Sequence, residues 1–350
     1  MKTVGVDLWG GQVRGVVENR ATILARAPRV ARSMRELFVG AYARFAPQCR
    51  AVDEPGVAII AVDESTGHAS GIVTLRARVA RYVATIIGRH DRCDLFLHDR
   101  HELGLRQLAI VLDPVQSWSR DSAAVRYRVL DLRTQTGFAD EHGRTLRGLR
   151  CEGTALLRCA GYALFLVPLG DPTDWPESAE DAWAMIPERV YFDELACSPR
   201  GSMPAMPASP PAMHATRRSM IIRTQGPRET ADSLVCADGT GAGRDTHAGT
   251  LELIGKHHRG TLTLGHDALG DGVLIGRYAR CDGAGLLDDP SLSRVHMLLL
   301  QVEDALLAID TASRNGTRLV GEADSRVIQL GGDTELGLGS RTRARWRWSH

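Results

Sequence analysis

The chain repeats itself, and the repetition narrows its folds more than any other feature. Ile87-Gly88-Arg89-His90-Asp91-Arg92-Cys93-Asp94 is matched by Ile275-Gly276-Arg277-Tyr278-Ala279-Arg280-Cys281-Asp282. Held at an offset of 188 without a gap, the alignment places Arg106 on Arg294 and Leu112 on Leu300, and eight of its 26 positions are identical. Farther on, Asp131 and Gly137 match Asp310 and Gly316 at an offset of 179. The nine-residue difference falls at Asp113–Asp121, between two expected strands, where a hairpin loop lengthens at small entropic cost. Two copies of one module are therefore expected.

The module reads as all-β. Val73, Leu75, Ala77 and Val79 alternate with Thr74, Arg76 and Arg78, the period of a half-buried strand. Short strands continue to Leu169, and they resume from Thr250 to Trp348, with Met297–Val302 and Ala305–Ile309 paired around a Glu303-Asp304 turn. Between the copies, Pro199, Pro204, Pro207, Pro210 and Pro211 fall among Ser, Ala and Met, a composition that predicts an extended linker over 171–249, with a short helix at Ala179–Ile186 docked on the preceding domain. Residues 1–65 form a mixed α/β segment. There Ser33 and Glu36 make a capping box, and Met34, Leu37, Phe38, Ala41 and Phe45 mark the buried stripe of a helix that ends at Pro47.

Composition excludes several classes. The 350 residues allow two domains at ~100–200 residues each. With 43 basic and 42 acidic residues the net charge is +1, without the basic excess of a generic nucleic-acid binder. Seven cysteines without a Cys-x-x-Cys pair argue against a disulfide framework and for a reducing cytoplasm. The longest apolar run, Ala160–Leu169, is half of the ~20 residues that a membrane-spanning helix needs.

In the second copy, Gly276-Arg277, then Ser293-Arg294-Val295-His296, then Asn315-Gly316-Thr317 all stand at expected strand-to-strand turns. A planar guanidinium, a short hydroxyl and a carboxamide on neighbouring hairpin tips suit a doubly charged phosphate ester and the backbone that carries it. In order and spacing the three motifs resemble the forkhead-associated (FHA) domain, a phosphothreonine-peptide receptor, over roughly residues 250–348. The resemblance implies a sandwich of two antiparallel sheets with the peptide bound by loops at one end. It assigns phosphopeptide contacts to Arg277, Ser293, Arg294, Arg314 and Asn315, and loop-building roles to Gly276, His296, Gly316 and Thr317. It also implies that the residue three after the phosphothreonine is read near Ser291, whose small neutral side chain forecasts no preference.

The first copy, 68–170, keeps Gly88-Arg89. The ungapped alignment puts Leu105 at Ser293 and Leu108 at His296, and the offset of 179 puts Thr136 at Asn315 and Phe138 at Thr317. It reads as a degenerate FHA-like domain whose Leu105, Leu108 and Phe138 offer an apolar contact surface. The expected whole is thus all-β in its majority: two FHA-like antiparallel β-sandwiches joined by a Pro-rich linker, after a small mixed α/β segment.

The expected function is a non-catalytic cytoplasmic adaptor with no cofactor. Its partners are a phosphothreonine-containing protein and the Ser/Thr kinase that makes it, with the chain's own linker, phosphorylated at Thr216 or Thr224 beside Arg217-Arg218, as a second candidate ligand. Two other readings stand beside it: a phosphate-independent docking component of a bacterial assembly such as a secretion system, and an enzyme using Val4–Gly11 as a nucleotide-binding hairpin with Asp7 as its carboxylate. His90, Cys93, His98 and His101 are crowded enough to raise zinc, but the repeat sets the histidines against Tyr278, Leu286 and Asp289, so turn residues beside a buried Cys are expected and no metal site.

Overall fold

The structure, a computed structural model, describes residues 32–115, 125–187, 189, 191–192, 221–225, 247–255, 259–286 and 289–349. Val4–Gly11, Thr216 and the proline cluster lie outside the described residues. Strands are the main regular structure of the described chain. In the first module these are β1 (Gly56–Asp63), β2 (Ala69–Arg76), β3 (Val83–Gly88), β4 (Leu95–Phe96), β5 (Leu108–Leu112) and β6 (Arg126–Asp131). They are followed by β7 (Phe138–Asp140), β8 (Thr145–Leu146), β9 (Gly148–Glu152), β10 (Ala155–Cys159), β11 (Tyr162–Leu169) and β12 (Tyr191–Phe192). The second module has β13 (Ile221–Gln225), β14 (His247–Ile254), β15 (Arg259–Gly265), β16 (Val273–Ile275) and β17 (Met297–Val302). It ends with β18 (Ala305–Asp310), β19 (Thr317–Leu319), β20 (Val327–Leu330), β21 (Thr334–Leu338) and β22 (Thr342–Trp348).

Each module is a sandwich. The first packs the sheet β2-β1-β11-β10-β7-β8 against β12-β9-β6-β5-β3-β4, and the second packs β13-β15-β14-β22-β21-β19 against β16-β17-β18-β20. The pairs are antiparallel except the short β3–β4 ladder. Side chains of a strand alternate between faces, and here both faces are used. Leu108, Ile110 and Leu112 of β5 enter the first sandwich core, as Met297 and Leu299 of β17 enter the second. Ala109 and Val111 of β5 point the other way and meet Leu298, Leu300 and Val302 of β17 and Leu307 and Ile309 of β18. The two sandwiches are therefore docked sheet to sheet through a third apolar core. Continuous apolar runs such as Leu108–Leu112 are the sequence form of a strand buried on both sides.

A fourth core covers the far face of the first sandwich. Helix α1 (Met34–Arg50) lays Leu37, Phe38, Ala41, Tyr42 and Phe45 on Ala58, Ile60, Val62 and Phe165. The Ser33–Glu36 capping box starts it, with Glu36 N–H donating to Ser33 Oγ at 3.2 Å and Ser33 N–H to Glu36 Oε2 at 2.8 Å. The helix runs through Pro47 rather than ending there. Proline removes one backbone donor near the helix end, a limited loss. Cys49 is fully buried, and Arg50 donates from Nε to Trp175 O at 2.9 Å and from Nη2 to Pro176 O at 3.0 Å, which holds the last turn.

Several expected boundaries differ. β1 pairs with β11 from Gly56↔Leu169 to Asp63↔Tyr162, so the first sandwich begins twelve residues before 68, and α1 is part of its packing. Residues 171–249 are not all linker. They hold a 3-10 turn at Pro172–Asp174, helix α2 (Ala179–Met185), β12 paired to β9, and β13 paired to β15. Thr224 lies in β13, its backbone registered against Thr261. Among the described residues, no helix is long and apolar enough to cross a membrane.

Candidate functional site

Three loops of the second module are bonded to one another. The first leaves β16 at Gly276-Arg277, the second runs through 289–296 into β17, and the third runs from Thr311 at the end of β18 to Gly316 before β19. Gly276 is required by close approach: a Cβ there would stand 2.3 Å from Arg294 O. Arg277 N–H donates to Ser293 O at 3.3 Å and Tyr278 N–H to Arg294 O at 2.9 Å. Arg277 Nε donates to Leu292 O at 2.6 Å, which fixes the inner edge of the guanidinium while the residue stays exposed.

Ser293 is buried, 8% exposed, and its Oγ accepts the Arg314 N–H at 2.8 Å. The hydroxyl proton is thereby left to an incoming acceptor. Asn315 donates from Nδ2 to Ser291 O at 2.6 Å, so its carboxamide is oriented by the second loop and its second N–H and Oδ1 stay open. Arg294 and Arg314 are exposed beside these groups. The arrangement offers one held guanidinium, a hydroxyl donor, an oriented amide and two further cations, suited to a phosphate ester on an extended backbone.

Beneath the surface His296 joins the second loop to the third. It is fully buried; Ser293 N–H donates to its Nδ1 at 3.1 Å, so Nε2 carries the proton and donates to Gly316 O at 3.0 Å. Burial, ahead of the charges around it, holds its pKa below the ordinary histidine value, which keeps the ring neutral. Gly316 adopts φ +73°, and a Cβ there would stand 2.1 Å from the Asp324 carboxyl carbon. Thr317 is buried and donates from Oγ1 to Asp310 Oδ2 at 2.9 Å.

Asp310 was not singled out from the sequence as part of this site. Its carboxylate also accepts Ser313 N–H at 2.8 Å and Ser313 Oγ–H at 2.5 Å, so it ties both flanks of Arg314-Asn315. Arg326 Nη1 holds Asp310 in turn, at 2.9 Å from its backbone O and 3.3 Å from Oδ1. The signal was in the repeat: Asp131, Thr134 and Arg147 form the same lock in the first module, with Arg147 Nη1 donating to Asp131 Oδ2 at 2.5 Å.

The equivalent end of the first module is built differently from the ungapped alignment. Strand register pairs Ile87 with Leu108 and Ile275 with Met297, so Leu108 corresponds to Met297, one residue off the expected match. Gly104 then stands at Ser293, Leu105 at Arg294 and Gln107 at His296. Gln107 does what the histidine does: Gly104 N–H donates to its Oε1 at 2.7 Å, and its Nε2 donates to Gly137 O at 3.1 Å, Gly137 matching Gly316. Arg89 Nε donates to Leu103 O at 3.2 Å, as Arg277 does to Leu292 O. The hydroxyl and the carboxamide are missing, since Gly104 and the exposed Thr136 occupy their places. The expected apolar surface is not formed, because Leu108 and Phe138 belong to the sandwich core, 0% and 2% exposed.

Among the described residues, no three His, Cys, Asp or Glu side chains converge as metal ligands. Cys93 is buried, with its thiol pushed up to about 11 and donating to Leu105 O.

Residues 273–340 match the family model of the FHA domain, and the second module is an FHA domain. A solved structure titled as an analysis of phosphothreonine-dependent FHA domain interactions is 27% identical, covering 29% of this chain and 97% of its own, with a TM-score of 0.25. The FhaA FHA domain, solved in complex with the intracellular domain of Rv3910, is 27% identical over 28% of this chain and 99% of its own, with a TM-score of 0.24. FHA-1 of Mycobacterium tuberculosis Rv1747 is 22% identical over 29% of this chain and 99% of its own, with a TM-score of 0.24. No curated protein matches the chain.

Proposed function

We propose that the chain is a phosphothreonine-peptide-binding adaptor that acts downstream of a Ser/Thr protein kinase through its second module, without catalysis of its own. Arg277 takes two phosphate oxygens through its open Nη edge, Ser293 Oγ–H donates to a third, and the Asn315 carboxamide pairs with the peptide backbone. Arg294 and Arg314 add charge at the rim. The observation that carries this reading is the mutual bonding of the three loops. It brings together an anchored guanidinium, a hydroxyl that already accepts the Arg314 N–H on one lone pair, and a pre-oriented amide.

The test is binding of the full chain to an array of phosphothreonine, phosphoserine and unmodified peptides. Each charge-assisted hydrogen bond is worth ~1.5–3 kcal/mol, so Arg277→Ala, which removes two, is expected to abolish detectable phosphate-dependent binding. Equal binding of phosphorylated and unmodified peptides by the parent, or an unaffected Arg277→Ala variant, would leave the docking-component reading in its place.

A further inference from the structure

The third loop, which carries Arg314 and Asn315, is held from behind by the first module. Arg106 is buried, 8% exposed, and spreads its guanidinium over two consecutive carbonyls: Nε donates to Thr311 O at 2.5 Å and Nη2 to Ala312 O at 2.6 Å. Arg92 donates from Nη1 to Ser313 O at 3.3 Å and to Arg314 O at 2.5 Å. Four successive carbonyls thus face cations of the other sandwich. Within the loop, Ala312 sits at φ +58°, a left-handed conformation that costs an L-residue energy unless its surroundings impose it. The backbone of Arg314 is gripped at both ends, its N–H by Ser293 Oγ and its C=O by Arg92.

The reverse contact is built differently: the corresponding loop reaches out with its own Arg133 side chain, which donates to Arg280 O at 3.2 Å and Gly272 O at 3.0 Å and pairs with Asp282 at 2.6 Å. Arg280 occupies in the second module the place of Arg92 in the first, and its Nη1 donates to Arg133 O at 2.6 Å in the corresponding loop, where Arg133 adopts φ +55°. The counterpart of Arg106 is Val295, which has no fork to offer. Both loops hold a left-handed residue and both are tied across the interface, but among the described residues a guanidinium of the other module spans two consecutive carbonyls only on the loop that bears the carboxamide.

We infer that the first module is the positioning element of the phosphopeptide site: Arg106 and Arg92 set the conformation of residues 311–314 and through it the placement of Arg314 and Asn315. The degenerate copy is in this view a built-in splint, and the receptor is the two sandwiches together. The inference rests on the reading of the second module as a phosphothreonine receptor. The ligand remains the same class of peptide, and the new roles belong to Arg92 and Arg106 as positioning residues that touch no phosphate.

The experiment uses the full chain. Arg92 is exposed, so Arg92→Ala leaves the Ser313 and Arg314 carbonyls to water and costs little stability. Its expected signature is local: amide hydrogen exchange of 313–316 accelerates about tenfold or more while β17 and β18 keep their protection. Affinity for a phosphothreonine peptide selected on the parent chain falls about fivefold or more, since bonds to a charged donor are lost. Arg92→Lys, which restores a donor, is expected to recover most of both. Arg106→Gln is expected to give a larger loss of the same kind; should it fail to fold, the Arg92 pair decides alone. Unchanged exchange and affinity in Arg92→Ala would overturn the inference, and so would exchange accelerated across both sandwiches, which marks general destabilisation. Arg277→Ala separates the levels: if it abolishes binding while Arg92→Ala does nothing, the receptor stands and the splint falls. If neither alters binding, the receptor reading falls, and the exchange result still judges the splint.

Discussion

The His296–Gln107 correspondence makes a quantitative prediction. In His296→Ala, Ser293 N–H loses its acceptor inside the protein, at ~1–3 kcal/mol for a buried unpaired group. Gly316 O keeps a bond from Gly339 N–H at 3.3 Å, so its loss is the smaller of the two. A cavity the size of an imidazole adds roughly 1–2 kcal/mol. The sum is about 2–5 kcal/mol. In His296→Gln, a side chain of similar reach presents an acceptor to residue 293 and a donor to residue 316, as Gln107 does for Gly104 and Gly137. The expected cost is below about 1 kcal/mol. Urea unfolding of the full chain measures both. The acid limb supplies a second readout. The pKa of His296 is lowered in the folded protein, so the unfolded chain takes up this proton first as pH falls through about 6.5. Stability from the neutral ring is fully present above that pH and declines below it. His90 is lowered too, by burial and Arg106, and adds to the same limb. The Gln variant lacks the His296 share and should lose less stability between about pH 6.5 and 5 than the parent. A Gln variant as unstable as Ala, or one with the parent's full acid slope, would refute the equivalence of the two residues.

Other outcomes are equally direct. Gly316→Ala is expected to cost about 1–2 kcal/mol by thermal unfolding, because φ +73° is unfavourable for alanine, while Asp324, an exposed side chain, moves away from the new Cβ. Arg89→Ala is expected to leave phosphothreonine-peptide binding unchanged, since the hydroxyl and amide that would act with it are absent in Gly104 and Thr136. The thiols of Cys49, Cys159 and Cys281 are each pushed up to about 12 by burial, so in native protein they should resist a thiol-specific reagent until urea opens the fold.

The sequence showed the sandwiches and the three turn motifs of the FHA domain because both depend on local signals: period-two alternation, turn residues and the repeat. The ungapped alignment slipped by one residue because the connection between Asp94 and Gly104 is one shorter than that between Asp282 and Ser293. Chance identities at Arg106/Arg294 and Leu112/Leu300 concealed the gap. What fixes the true match is hydrogen-bond register, which pairs Ile87 with Leu108. The docking of the modules was also written in the chain. Leu108–Leu112, Met297–Leu300 and Ala305–Ile309 are apolar at every position, whereas a sandwich strand with one wet face alternates. The clamp by Arg106 and Arg92 had no such signal. Among 41 arginines, nothing local marks the two that reach carbonyls more than 200 residues away.

The face shared by the two sandwiches also constrains how the chain is made. A ribosome finishes the first sandwich while Ala109, Val111, Leu130 and their neighbours still look onto solvent, and that aliphatic slab waits for its cover until β16, β17 and β18 have been synthesised. A protein truncated between the modules would keep the slab bare for good and offer it to any copy of itself.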